Sequence, residues 1–237
     1  MQFRHTLGLL WATACLMLAA PAQASLLGRD ISGHAVLGSA PRAVFLYDTD
    51  LNITWLRNAN VNGLMAWPYA SLWATGYSLG GYSGWRLPTM LDTGAPGCDF
   101  SDAGGTDCGY NVLTASSEMA HLWYVTLGNL AYCNPATSTA NSCDPQAGFG
   151  LTHIGDFLNL QSNAYWSGLG YLPPSHAAWF FFTRTGLQDY AFELDGSYAM
   201  AVRDGDVLAA TVPEPGTLAL VALALAGLGR MRRRRLA

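Results

Sequence analysis

The chain of 237 residues contains no lysine, and its twelve residues with a permanent positive charge are all arginines. Six of these arginines lie within residues 1–24 and 212–237, so residues 25–211 carry six arginines against fifteen acidic residues, a formal charge of −9. Such a segment has no basic stripe to neutralise phosphates, and we expect it not to bind nucleic acid. Its acidic surface suits a secreted protein and can attract divalent cations.

Recognisable catalytic motifs are also lacking. Beyond residue 24, four of the five histidines are scattered along the chain, His34, His121, His153 and His176. No Gly-x-Ser-x-Gly elbow, His-Glu-x-x-His pair or phosphate-binding loop is present. We therefore predict a binding or matrix protein that is not an enzyme and has no cofactor. Two alternatives stay open, an extracellular carbohydrate-active hydrolase and a purely structural matrix protein.

The apolar run near the N-terminus is shorter than the roughly 20 residues that a membrane-spanning helix needs. It occupies residues 7–20, follows Arg4 and His5, and is followed by Ala22-Gln23-Ala24. A positive start, a short apolar core and small residues at its end predict a secretory signal peptide over residues 1–24, which signal peptidase removes after Ala24. The alternative is an uncleaved membrane anchor.

The C-terminal segment, residues 212–237, has three parts in a fixed order. Pro213, Glu214 and Pro215 precede an apolar run over residues 218–229, and five arginines follow within residues 230–235. The prolines prevent an earlier start of the helix, and the arginines hold the extreme C-terminus in the cytoplasm. Fourteen residues, 216–229, span only about 21 Å of a bilayer core near 30 Å thick, which favours a transient anchor.

This segment resembles the PEP-CTERM sorting signal. The resemblance implies that an exosortase, a membrane enzyme, recognises the tail and cleaves near Pro213, Glu214 and Pro215. We expect the protein to be held briefly in the cytoplasmic membrane and then placed at the cell surface or in the extracellular matrix. An ordinary C-terminal tail anchor is the alternative.

Cysteine usage agrees with export, since Cys15 leaves with the signal peptide and four cysteines remain. Four cysteines allow three pairings. We favour Cys98–Cys108 and Cys133–Cys143, because each pair encloses a loop rich in glycine, asparagine, proline and aspartate that an oxidising compartment would close. A zinc site is the alternative, but no Cys-x-x-Cys motif supports it.

Residues 25–211 are long enough for one domain with a substantial core. Helices are predicted over residues 65–75 and, after a cap at Ser116 or Ser117, from Glu118 to about Leu127. Candidate strands occupy residues 43–47, 52–55, 164–167, 178–183, 188–193 and 198–203, and the first two of these form a hairpin. Early helices and late strands indicate an α+β fold.

Three segments resemble the Lcl C-terminal-like domain family. The first is residues 47–57 and the second is residues 80–89, which include Trp85, Arg86, Leu87, Pro88 and Thr89. The third consists of residues 165–168, which include Trp166, together with residues 201–206, which include Arg203 and Asp204. The Trp-Arg-Leu-Pro-Thr stretch is also similar to one in sulfatase-modifying-factor proteins. The resemblance implies a C-type-lectin-like fold with a small twisted antiparallel sheet, two helices and long disulfide-stapled loops.

Aromatic side chains near the face expected to be lectin-like are candidates for ligand contact. Trp166, Tyr171 and Trp179 could stack on the apolar faces of sugar rings, or they could be core residues. The predicted ligand is an exopolysaccharide or another glycan. Neutral glycans are favoured, because a segment with a formal charge of −9 repels a polyanion unless a cation bridges the two.

Two pairs of aspartates spaced two residues apart are weaker candidates for calcium binding. They are Asp204 with Asp206 and Asp48 with Asp50, and neither pair has the remaining ligands of an EF-hand loop. The alternative role for these aspartates is turn formation. Arg86 is expected to form a structural salt bridge, with ligand contact as its alternative.

The sorting prediction is tested by mass spectrometry of the mature surface protein. We expect its first peptide to begin at Ser25 and its last to end upstream of residue 218, because both terminal segments are processing signals. Recovery of peptides that end at Ala237 would contradict exosortase cleavage, and recovery of peptides from residues 1–24 would contradict removal of the signal peptide.

Overall fold

A computed structural model describes residues 25–172 and 176–208. The predicted signal peptide and sorting tail, including Ala24, Pro213, Glu214 and Pro215, lie outside these residues. Across the two described ranges, no helix is both long enough and apolar enough to cross a membrane.

The first sheet contains the two ends of the described chain. Its order is β10-β4-β3-β1-β2 and all its pairs are antiparallel. β3 and β4 form the predicted hairpin, because Asp48 and Ile53 face each other across a tight turn. The strands are β1 (Leu26–Arg29), β2 (Ala35–Val36), β3 (Phe45–Asp48), β4 (Ile53–Leu56) and β10 (Val202–Asp204).

The second sheet has the order β5-β6-β9-β8-β7. The β5–β6 pair is parallel and the other pairs are antiparallel. Its interior strand β8, which lies between β9 and β7, has the sequence Ala-Ala-Trp-Phe-Phe-Phe and is buried along most of its length, as expected for a strand covered on both faces. The strands are β5 (Phe100–Ser101), β6 (Cys108–Tyr110), β7 (Ala164–Tyr171), β8 (Ala177–Phe182) and β9 (Leu187–Phe192).

Both predicted helices are present. α1 (Trp67–Gly76) carries Pro68 in its first turn. A backbone N–H at this position has no acceptor within the helix, so the missing N–H of proline costs no hydrogen bond. α2 (Glu118–Ala120) is capped by Ser117, whose hydroxyl accepts the Ala120 N–H at 3.2 Å, and it continues as a π-helical turn over His121–Thr126. A 3₁₀ turn at Thr114–Ser116 precedes it.

The mixed helix and sheet class is therefore confirmed, but two details of the prediction are wrong. The expected single small sheet is two five-stranded sheets, because β1, β2, β5 and β6 have only two to four residues each and show no alternation long enough to detect. The strand expected over residues 198–203 begins only at Val202, since Tyr198 makes an isolated bridge to Tyr165.

Both favoured disulfides are formed. The Cα atoms of Cys98 and Cys108 lie 5.2 Å apart, and those of Cys133 and Cys143 lie 5.1 Å apart. Each bridge closes a loop with a ten-residue separation beside the second sheet. These loops have few apolar side chains of their own, so the bridges limit the conformations that the unfolded loops can adopt.

Arg86 connects three segments that are distant in sequence. Its Nη1 and Nη2 atoms donate to the two Glu118 oxygens at 2.7 and 2.8 Å, and Nη2 also donates to Asp204 at 2.6 Å. Its backbone pairs with Val202 through two hydrogen bonds. Glu118 in turn accepts the Thr89 N–H at 2.7 Å. The hydrogen bonds that Arg86 donates to Glu118 raise the pKa of the guanidinium above its ordinary value.

The prediction that Arg86 forms a structural ion pair agrees with this geometry. Breaking a partly buried pair leaves a carboxylate without its partner, so we expect Arg86→Met to lower the free energy of unfolding by about 2–4 kcal/mol. Arg42→Met is the matched control, because Arg42 is exposed and its substitution should change stability by less than about 0.5 kcal/mol. Denaturant titration of the oxidised protein measures both variants, and equal losses would contradict a connecting role for Arg86.

Candidate functional site

The three aromatic residues predicted to contact a ligand lie in the core. Trp166 and Trp179 are fully buried, and Tyr171 is only 8% exposed. The Trp166 indole donates to the Met65 carbonyl at 2.8 Å, and the Tyr171 ring packs against Tyr190 with centroids 3.8 Å apart. None of the three presents a free ring face to solvent. Because they are buried, these residues cannot contact a ligand in this structure, and the alternative that they are core residues is supported.

The aspartates considered as calcium ligands have other partners. Both oxygens of Asp206 accept hydrogen bonds from Arg29, at 3.0 and 2.6 Å, and Asp204 pairs with Arg86. Asp48 is fully buried and caps its own turn by accepting the Asp50 N–H at 3.1 Å. Guanidinium and backbone donors occupy the oxygens that a cation would need, so the turn and ion-pair roles fit these residues better than calcium binding.

Close groupings of other metal-ligating side chains occur only beside the disulfides within residues 25–172 and 176–208. They pair Asp189 with Cys98 and Cys108, and Asp102 with Cys133 and Cys143. A disulfide sulfur is not a thiolate, and only the thiolate is a good metal ligand. Neither grouping therefore supports the zinc alternative.

The remaining residues of the family-like segments support the fold. Trp85 and Leu87 are buried, and Pro88 accepts the Gly168 N–H at 2.8 Å. Arg203 donates to the Ser83 carbonyl at 3.2 Å and lies over the Tyr82 ring at 5.5 Å. These contacts hold the segment against both sheets, since Gly168 lies on β7 and Arg203 on β10, and among the described residues they leave no free polar group that identifies a ligand.

An open cleft at one end of the second sheet is lined by aromatic rings. Its cavity volume is about 350 Å³. The strands β6 and β8 both end at this cleft, and the turn between β8 and β9 forms one of its walls. The other wall is formed by residues on either side of the loop that the Cys133–Cys143 disulfide closes. We call it the aromatic cleft, and its residues are Tyr110, Tyr132, Phe149, Phe182, Arg184 and Thr185.

The rings of the aromatic cleft hold one another at fixed angles. Tyr132 and Phe149 meet edge to face with centroids 4.9 Å apart, and Tyr110 lies 6.1 Å from Tyr132 at an interplanar angle of 48°. The Tyr132 N–H donates to the Thr185 carbonyl at 2.9 Å, which ties this wall to the β8–β9 turn. Because the disulfide follows directly at Cys133, the wall is held before any ligand arrives.

The polar groups of the cleft are mainly hydrogen-bond donors. Arg184 is exposed, and in the part of the chain that the structure describes it forms no ion pair. The Tyr110 phenol is protonated at neutral pH and can donate a hydrogen bond, and burial raises its pKa further. Ring faces with a few donors at their edge are the usual composition of a small polar-ligand site.

The aromatic cleft cannot be recognised from the sequence. Its residues come from four separate stretches of chain, and no spacing rule links them. One local signal was available, because Tyr132 directly precedes Cys133 and Phe149 lies just beyond the loop that Cys143 closes. Aromatic residues that flank a disulfide-closed loop are held in place and are therefore reasonable candidates for ligand contact.

A half-buried carboxyl group, that of Asp189 on β9, lies close to the cleft and to the first disulfide. Asp189 accepts the Tyr190 N–H at 2.8 Å, and its Oδ1 lies 3.8 Å from the Cys108 sulfur. Burial raises the pKa of Asp189, and this carboxylate contributes to the raised pKa of Tyr110. The folded state thus favours the protonated form of Asp189.

This carboxyl group predicts a pH dependence of stability. Because the folded pKa of Asp189 lies above the unfolded value, its contribution to stability is fully present below the unfolded pKa of about 3.9 and is lost as pH rises through the folded pKa. We expect the wild type to lose stability relative to Asp189→Asn between pH 4 and pH 7, measured by denaturant titration. Asp195→Asn, at an exposed position, is the control, and an identical pH profile for both variants would contradict the assignment.

Comparison with known proteins identifies one region of the chain. The family model of the PEP-CTERM protein-sorting motif matches residues 211–235. No curated protein and no solved structure matches the chain. The match confirms the predicted sorting signal within one residue of its expected start. The chain thus carries a PEP-CTERM motif, which marks it as an exosortase-sorted exported protein with a C-terminal membrane-anchoring tail.

Proposed function

We propose that the exported domain is a non-catalytic carbohydrate-binding module and that the aromatic cleft is its binding site. The observation that carries this proposal is the set of preorganised rings, Tyr110, Tyr132 and Phe149, beside a disulfide-closed loop. Pyranose rings present flat apolar C–H faces, and aromatic side chains match those faces in shape and polarity. A cavity of about 350 Å³ suits one or two residues of a longer glycan.

The charge of the domain favours a neutral glycan. The exported segment is acidic, with a formal charge of −9, so a polyanion would be repelled over most of its surface. Stacking and hydrogen bonding from Tyr110, Tyr132 and Arg184 require no charge on the sugar. The proposed partner is therefore the exopolysaccharide of the producing cell or another glycan with neutral residues.

The proposal includes the absence of catalysis. Glycoside hydrolysis ordinarily needs two carboxyl groups on opposite sides of the scissile bond. The lining of the aromatic cleft consists of aromatic residues, an arginine and a threonine, and it supplies no such pair from the described residues. This composition favours a binding role over the alternative of a hydrolase.

We also propose that the domain is related to Lcl C-terminal-like domains and has a C-type-lectin-like fold. Support comes from the segment that resembles the family most, because Arg86 and Thr89 both bond Glu118 and so join this segment to α2. Two helices and two disulfide-closed loops beside antiparallel pairs agree with such a fold.

Substitution in the aromatic cleft tests the binding proposal. We expect Tyr132→Ala and Phe149→Ala each to weaken binding of the processed protein to purified exopolysaccharide about tenfold, since one ring contact is worth roughly 1.4 kcal/mol. Tyr69→Ala is the matched control, because Tyr69 is 68% exposed on α1 and lies outside the cleft. Isothermal titration against the exopolysaccharide and a panel of neutral oligosaccharides measures the effect.

Four outcomes distinguish the alternatives. Equal losses for Tyr69→Ala and Tyr132→Ala would contradict the assignment of the site. Shortening of the polysaccharide during the titration would indicate a hydrolase, and self-association without any glycan binding would indicate a structural matrix protein. Loss of binding in chelator would show that calcium takes part, although the described aspartates have other partners.

A further inference from the structure

The two ends of the described chain are held together at one side of the first sheet. Arg29, on β1, is nearly fully buried and forms a two-pronged ion pair with Asp206, at 3.0 and 2.6 Å. Asp206 also accepts the N–H of Leu208, the last described residue, at 2.9 Å. The point where the chain continues toward the sorting tail is therefore fixed beside β1.

A shallow groove lies at this point, and we call it the exit groove. Its volume is about 470 Å³, and its lining runs along residues 26–29 and 35–39 with Asp156 and Leu208. Two glycines let its walls approach closely, because a Cβ atom on Gly28 would lie 2.7 Å from the Gly38 backbone and one on Gly38 would strike the Asp156 carboxylate.

Exposed leucines surround the exit groove. Leu37 is 78% exposed, and Leu27 and Leu208 are each more than two-fifths exposed. Arg29 and Asp206 neutralise each other, which leaves Asp156 as the only unpaired charge in the lining given by the described residues. An apolar rim of this kind around the exit of the chain indicates a contact with an apolar partner.

The length of the following chain limits where this face can point. Ten residues separate Leu208 from Leu218, the start of the apolar run, and they can reach at most about 35 Å when fully extended. A folded domain of this length has a radius of gyration of about 16 Å, so it is roughly 40 Å across. The tether is therefore too short for the exit groove to lie on the side of the domain opposite the bilayer that holds the tail.

We propose that the rim of the exit groove rests on the outer surface of the cytoplasmic membrane while the tail is anchored. Leu27, Leu37 and Leu208 then enter the boundary between headgroups and acyl chains, as side chains of membrane-surface proteins do. The tether keeps the domain at high local concentration, so a weak apolar contact is enough to set its orientation. Cleavage of the tail releases the contact. This proposal depends on the sorting motif and is independent of glycan binding.

Photo-crosslinking in lipid vesicles tests the proposed orientation. The signal-processed protein with its intact tail is reconstituted into vesicles of phosphatidylethanolamine and phosphatidylglycerol, with p-benzoylphenylalanine in place of Leu37. The matched control carries the same group in place of Leu194, which is 76% exposed and follows β9 of the second sheet. Both sites are exposed, and intact disulfides on a non-reducing gel show that both proteins are folded.

We expect about fivefold more lipid adduct at position 37 than at position 194, and loss of that excess after removal of the tail. Equal adducts at the two positions, or more at position 194, would overturn the proposal. A crosslinked protein dimer at position 37 would overturn it as well, because the groove would then bind a second copy of the chain.

Discussion

The forked ion pair of Arg86 with Glu118 and Asp204 is the contact on which the arrangement of the domain depends. It joins the segment after α1 to the start of α2 and to β10, three parts of the chain up to 118 residues apart. Glu118 also lies in the first turn of α2, where a negative charge is favourable. The same carboxylate therefore stabilises the helix and positions the segment that begins at Trp85.

The domain uses its charges mainly to connect chain segments. Arg57, which is nearly fully buried, donates to the carbonyls of Ala40, Ala43 and Asp156, and Arg29 holds Asp206 beside β1. These arginines fix the loops that the two small sheets cannot bury. Arg184 differs from Arg29 and Arg57, because it is exposed at the aromatic cleft and its side chain makes neither a hydrogen bond nor an ion pair within the described ranges. That difference supports a role in binding.

Local features of the fold could be predicted from the sequence, and long-range features could not. The Asp48–Ile53 hairpin, the Ser117 cap and both disulfides follow from residues that are close in sequence. The strands β5 and β6 are not predictable from the sequence, because two or three residues are too few to show an alternating pattern. Trp166 and Trp179 could not be placed, since an aromatic residue in a strand can face either the core or the solvent, and only tertiary packing decides.

The central claim is that the disulfide-flanked rings of the aromatic cleft bind glycan. Hydrogen–deuterium exchange of the processed protein, with and without the exopolysaccharide of the producing cell, tests it over the whole domain at once. The account predicts slower exchange on glycan addition in residues 130–150 and 182–187, which contain most of the cleft. Protection confined to other segments, or no change in exchange at saturating glycan, would contradict it.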